Sequence, residues 1–259
     1  MTKLFSLELA TWFRNKRFVV LVFVFLAIAI SSTVMAYNIN NLLEAAGENG
    51  AQITIPNPSA AALVQSYMKT ASQIGLFIAA YLVSDTSILK RQGSQRIYYV
   101  TTALNRSRIY IPKLLIGILL SASAMFMGAC CALYITWCYF ENMPLAASIQ
   151  ALGFQIIGFL LFTFLAGTIG ILTCSAFVAA LTVEGMVILG SYLDGFPLIH
   201  KWSFTTLLAP NEIVSNGFEW ATWWRPILSS IALFLVCAFT LSIYFLKAKV
   251  YTYRGSEER

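Results

Sequence analysis

The 259-residue chain is 59% hydrophobic and 11% charged, with a mean hydropathy of +0.75. Soluble domains sit near roughly 45–50% apolar and about 25% charged. The composition therefore excludes a water-soluble globule, a disordered chain and a nucleic-acid-binding domain, and leaves a chain whose main solvent is lipid. The formal charge of +6 arises from 17 Lys+Arg against 11 Asp+Glu. In a membrane protein the position of those charges matters more than their sum, because Lys and Arg gather in cytoplasmic loops.

Residues 3–16 read as an amphipathic helix. Phe5, Leu9, Trp12 and Phe13 recur at i, i+4, i+7 and i+8, while Lys3, Ser6, Arg14 and Lys16 fall largely off that stripe. Such a helix lies in the headgroup plane, aromatics down and cations at the phosphates. It serves either as an anchor that orients the first span or as a lever that moves with the protein.

A helix crossing the hydrocarbon needs about 20 mostly apolar residues. The first such run is Phe18 to Tyr37. A cleaved signal peptide, cut near Val34-Met35-Ala36, is the competing reading, but the apolar run is too long for one. The second span, about 62–84, is weaker. Its charge-free part is short, so it borrows the preceding turn and leaves Lys69 to snorkel outward. The third covers about 113–140. The chain is then free of charge from Asn142 to Val183. One helix of that length would measure about 63 Å, roughly twice the bilayer core. Two spans are expected instead, about 148–172 and 176–194, with a tight turn near Thr173-Cys174-Ser175. The sixth runs about 226–246 and opens on Pro226, where a missing N–H costs nothing.

Fourteen of the 17 basic residues fall in the N-terminal segment, between spans two and three, or in the C-terminal tail. Only Lys69, Lys201 and Arg225 fall on the other side. Six spans with both termini cytoplasmic follow, in a multi-pass protein of the cell membrane.

The first outer loop, from Asn38, is acidic and holds Pro56 and Pro58. Residues 195–224 differ, holding Trp202, Trp220, Trp223 and Trp224, with breaks at Pro197 and Pro210. Tryptophan favours the membrane interface, so short outer helices that re-enter the bilayer or lie on it are expected. The cytoplasmic segment 84–112 holds Lys90, Arg91, Arg96, Arg106 and Arg108 beside an apolar stripe of Ile97, Tyr98, Tyr99, Val100 and Leu104. It reads as a docking surface for a cytoplasmic partner or as a headgroup-binding stretch that only sets orientation.

Catalytic and metal motifs are missing. No Gly-x-x-x-x-Gly-Lys-Ser/Thr loop is present to cradle a nucleotide phosphate, and no His-Glu-x-x-His or Cys-x-x-Cys to hold zinc. No metal ligand set and no catalytic residue are expected. Five cysteines fall in or at the ends of spans and read as small apolar residues. His200 is the one histidine, and no nucleophile motif surrounds it. Glu184, about midway along span five, is the polar exception. A carboxylate there costs about 2.5–3.5 kcal/mol on insertion scales and usually faces a bundle interior or a water path. It contacts substrate or a proton, or it ties helices together. Gly153, Gly158, Gly167, Gly170, Gly185 and Gly190 suggest close helix packing.

The order of parts is an interfacial helix, two spans, a basic cytoplasmic loop, and four more spans with an aromatic, Pro-broken segment before the last. That order resembles the permease subunit of the type-2 ABC exporter family over essentially the whole chain. The residues carrying the resemblance are Gly93, Tyr98-Tyr99, Ala103-Leu104-Asn105-Arg106 and Lys113; the family's proline in that turn and its acid ahead of Gly93 are missing. The resemblance implies an all-α membrane protein with a coupling helix in the 84–112 loop. Asp85, Lys90, Arg91, Gly93, Arg96, Tyr98, Tyr99 and Arg106 would couple to a separate cytoplasmic ATPase subunit, present in two copies. ATP and Mg would bind there, with no cofactor in this chain. A second permease, identical or paralogous, would complete the pathway within the membrane lipid. Spans two and five would line it, placing Gln65, Tyr67, Gln73, Tyr81, Glu184, Tyr192 and Asp194 as candidates. A proton-coupled carrier using Glu184 is the alternative, followed by a membrane anchor or enzyme subunit. The aliphatic and aromatic interior suits a hydrophobic or amphiphilic cargo such as a lipid, a peptide or an antibiotic.

Overall fold

A computed structural model describes residues 2–39, 58–89, 107–141, 143–193 and 195–254. The described residues are all-helical, with no strand among them. Helix α1 covers Thr2–Arg14 and α2 Arg17–Tyr37. Helix α3 is composite: Ala60–Thr70, a π-helical turn over Ala71–Gly75, then Leu76–Ser87. Helix α4 is Ser107–Tyr139, α5 Leu145–Thr173 and α6 Ala176–Leu193. Two short helices follow, α7 (Pro197–His200) and α8 (Asn211–Asn216), with a 3₁₀ turn at Phe204–Leu207 between them. Helix α9 is Trp220–Arg254.

Five of these helices, α2, α4, α5, α6 and α9, are long and apolar enough to cross a membrane. That is the makeup of a multi-pass membrane protein. Helix α3 falls outside this count because the π turn divides it. Ser59 caps its start, accepting a hydrogen bond from the Ala62 N–H at 3.2 Å.

The helix ends differ from the sequence-based boundaries in two informative places. Helix α9 begins at Trp220, so Pro226 lies inside it rather than at its start. Proline there deprives the carbonyl one turn earlier of its donor, and the Ser229 and Ser230 hydroxyls donate to the Pro226 carbonyl at 2.9 and 2.7 Å. Likewise α4 already runs from Ser107 and carries Pro112 and Lys113 within it. The turn at Cys174 falls where the sequence places it. Cys174 adopts φ 56°, a left-handed residue closing α5 before α6 begins. Lys16, at φ 55°, makes the corresponding bend between α1 and α2.

Helix α5 sits at the centre. Of its most apolar stretch 61% is buried within the protein, against 17% for α9 on the outside. Helices α3, α4, α6, α8 and α9 all pack on α5, while α2 packs on α3 and α4. Lipid is as apolar as leucine, so hydrophobicity alone does not pull helices together in a bilayer; close packing and interhelical hydrogen bonds do. Small residues supply the first. A Cβ on Gly128 of α4 would stand 2.9 Å from the Phe25 carbonyl of α2 and 3.0 Å from the Tyr67 hydroxyl. A Cβ on Gly158 of α5 would stand 2.9 Å from the Leu207 backbone. Gly170 meets Ser84 and Gly190 meets Thr205 as closely, whereas Gly153 and Gly185 face open space.

Helix α3 supplies the second. Ser66 Oγ donates to Ser32 O of α2 at 3.2 Å, and Tyr67 Oη to Met125 O of α4 at 3.1 Å. Ser84 Oγ donates to Ala166 O of α5 at 2.9 Å, and Gln65 Nε2 to Asn211 O of α8 at 3.2 Å. Gln155 Nε2 of α5 donates back to Met68 O at 2.8 Å, beside the π turn. That turn breaks the regular ladder, and Thr70 and Ser72 hydroxyls bond to the Ser66 and Lys69 carbonyls around it.

Gly128→Ala should therefore destabilise the protein by about 1–3 kcal/mol through overpacking. Gly153→Ala should be neutral or stabilising by up to about 1 kcal/mol. Thermal unfolding of the purified chain in detergent reads both. Equal melting of the two variants would refute the close α2–α4 contact.

Candidate functional site

Polar side chains gather at the two ends of the bundle. At the α1 end, Trp12 is fully buried. It meets Val83 and Thr86 of α3 around Gly117 of α4, where a Cβ would lie 3.3 Å from the indole. Glu8 faces the same helix, and its Oε1 lies 2.8 Å from Lys113 Nζ, with side-chain exposures of 2% and 8%. Leu4 packs on Ile109 and Leu89 nearby. Arg17, opening α2, pairs with Asp85 near the end of α3 at 2.6 Å. Helix α1 thus ties α2, α3 and α4 together where the 90–106 segment leaves α3 and returns to α4.

The aromatic stripe of α1 is divided by this packing. Trp12 turns into the protein and Phe5 packs partly against the core, while Leu9 and Phe13 are exposed. Sequence reasoning missed Glu8. The available signal was that it is the one acid among the first 17 residues. Of the coupling candidates, Asp85 is placed in the ion pair with Arg17. Lys90, Arg91, Gly93, Arg96, Tyr98, Tyr99 and Arg106 lie outside the described residues.

At the far end, α3, α6, α9 and the short helices enclose a cavity of about 660 Å³. Its wall includes Lys69, Ser72 and Gln73 of α3, and Val187 and Ser191 of α6. His200, Lys201, Glu212 and Arg225 complete its charged lining. All three basic residues that the sequence sets apart from the other 14 meet here. His200 Nε2 lies 3.5 Å from Glu212 Oε1. The Arg225 guanidinium stands 5.9 Å from the Trp202 ring and 5.2 Å from the Trp224 ring, within cation–π range.

The pathway candidates divide along the same two helices. Gln73 lines the far-end cavity. Tyr81, two turns along α3, lines a second cavity at the α1 end with Asp85, Cys174 and Phe177. Glu184 sits three and seven residues before Val187 and Ser191, so it shares their face of α6. Its Oε2 is buried with no hydrogen-bond partner among the described residues, so no tie through that oxygen to another described helix is present. Tyr192 is 77% exposed and does not line the cavity. Gln65 and Tyr67 spend their polar atoms on carbonyls of α8 and α4, and Asp194 lies outside the described residues. Among the described residues no group of three or more His, Cys, Asp or Glu is close enough to hold a metal ion. No protein-family model matches the chain, and neither does any curated protein or solved structure.

A buried ion pair leaves a costly charge behind when one partner is removed. Glu8→Leu should cost about 3–5 kcal/mol, and Glu8→Leu with Lys113→Met should recover most of that loss. Thermal melting of wild type, both single variants and the double variant reads the coupling. Additive losses would show that the pair does not hold α1 to α4.

Proposed function

We propose that the chain is the membrane-spanning subunit of an ATP-driven exporter of the type-2 ABC kind, powered by a separate cytoplasmic ATPase. In this reading α2, α3, α4, α5, α6 and α9 make six crossings, and α3 counts because its 28 helical residues from Ala60 to Ser87 are continuous through the π turn. Both termini and the 84–112 segment face the cytoplasm, and α1 lies at that interface. The short helices and the 3₁₀ turn fold back from the outside against α5. Two such chains, or this one and a paralogue, form the pathway.

The observation that carries the reading is the α1 junction. A subunit without its own phosphate loop must receive nucleotide-driven motion through a rigid element, because packed interfaces transmit a push only between discrete arrangements. The Glu8–Lys113 and Arg17–Asp85 pairs, with Trp12 between them, brace the helix ends that flank the basic segment. A push on that segment would move α3 and α4 together. Helix α3 reaches from there to the far-end cavity, which gives the motion a route to a cargo site. The cargo would be a hydrophobic or amphiphilic molecule.

Glu184 favours a second reading, a proton-coupled carrier, because its Oε2 is buried with no partner among the described residues, on the face of α6 shared with Val187 and Ser191. Transport driven by a pH gradient without ATP would select it.

The purified chain should hydrolyse no ATP alone and should co-purify with a nucleotide-binding subunit. Arg96→Glu with Arg106→Glu should abolish transport-coupled ATPase stimulation while membrane insertion survives. An unchanged transport rate in that variant would overturn the docking role of the segment.

A further inference from the structure

The geometry points to a binding site for a phosphate-bearing headgroup in the cavity at the far end of the bundle. Three cations, Lys69, Lys201 and Arg225, line it, and none of them forms an ion pair with a described residue. The one acid among its lining residues, Glu212, lies beside His200. The wall therefore carries an excess of positive charge. That excess is local: among the described residues Arg14, Lys16, Arg17, Arg108 and Lys113 belong to the other end.

Two backbone irregularities build the same wall. The π turn of α3 presents Ser72 and Gln73 to the cavity, and Pro226 of α9 also lines it. Broken helical backbone at membrane depth is tolerated where it lines a cavity, and π turns recur at functional sites. Arg225 is aimed rather than loose. Its guanidinium rests on two tryptophan rings, and its Nε is buried with no hydrogen-bond partner among the described residues.

The chemistry suits phosphate better than a single carboxylate. A phosphate offers several acceptor oxygens to the Arg fork, to the point charges of two lysines and to neutral donors such as Gln73. The volume of 660 Å³ is in the range of small-molecule sites. Apolar wall residues such as Val187 and Leu208 leave room for the first carbons of an attached chain. The inference does not depend on the exporter reading, since the isolated chain would bind the headgroup whatever drives transport.

The test is native mass spectrometry of the full chain in detergent, with dioleoyl phosphatidylglycerol and dioleoyl phosphatidylcholine added at equal concentration. The anionic lipid should be retained at least about tenfold more strongly, and Lys69→Gln with Lys201→Gln should reduce its retention about thirtyfold. Glu141→Gln, at an exposed residue outside the cavity lining, should not lower it. If the double variant fails to fold, Lys69→Gln alone should still give about a fivefold loss. Displacement of the lipid by inorganic pyrophosphate supports recognition of the phosphate itself. Discrimination between the lipids without such displacement supports a lipid headgroup held together with its chains. Equal retention of the two lipids overturns the inference, as does wild-type behaviour in the variants. Displacement by a hexaglutamate peptide but not by pyrophosphate overturns it too, in favour of an acidic peptide site.

Discussion

A bilayer core offers no water to a polar group, so each buried polar side chain must find a partner inside the protein. Helix α3 meets that constraint by spending its polar residues on the backbones of its neighbours. Five side-chain hydrogen bonds to the backbone of another helix involve α3: carbonyls of α2, α4, α5 and α8 accept in four of them, and Met68 O of α3 accepts from Gln155 of α5 in the fifth. Interhelical bonds of this kind average about 0.6 kcal/mol in membranes, with a maximum near 1.7. Their sum is modest, but their placement is specific. They fix the height and rotation of one helix against four others, which nondirectional packing does not do.

Both ends of the bundle follow from α3. At one end Asp85 pairs with Arg17, and Val83 and Thr86 receive the buried Trp12. At the other, the π turn brings Ser72 and Gln73 to the wall of a basic cavity. Between them Gly75 lets the Phe25 ring approach so closely that a Cβ would lie 2.6 Å from it. In the proposed exporter this helix would carry a displacement entering at one end to the other. The short helices close the structure: α6 has 18 residues against 29 in α5. The 3₁₀ turn packs Leu207 and Thr205 onto Gly158 and Gly190 near the end of the shorter helix.

The sequence reveals the long apolar helices because their signal is additive. Each of α2, α4, α5 and α9 carries enough leucine, isoleucine and phenylalanine to announce itself, and the break at Cys174 follows from helix length alone. Helix α3 reads weakly for the same reason that it matters: Ser66, Tyr67, Ser72 and Ser84 lower its hydropathy and supply its bonds or its cavity wall. Pro226 misplaces the start of α9 because proline suits a first helical turn, whereas the helix has already run from Trp220. The amphipathic stripe of α1 is legible, but its division into a buried Trp12 and exposed Leu9 and Phe13 depends on Gly117, more than a hundred residues away. The Glu8–Lys113 pair is long-range in the same sense. The far-end cavity has a partial signature in the three basic residues stranded from the others, yet only the fold gathers them into one wall.

In the proposed exporter, drive would enter through the basic segment and cargo would bind at the opposite face, which requires those two places to lie on different sides of the membrane. Single-cysteine reporters at Ser94 and Asn216, in a chain whose five native cysteines have been replaced, measure this with a membrane-impermeant maleimide on intact cells. Asn216 should react from outside, and Ser94 only after the membrane is opened. Labelling of Ser94 in intact cells, with Asn216 protected, would contradict the account.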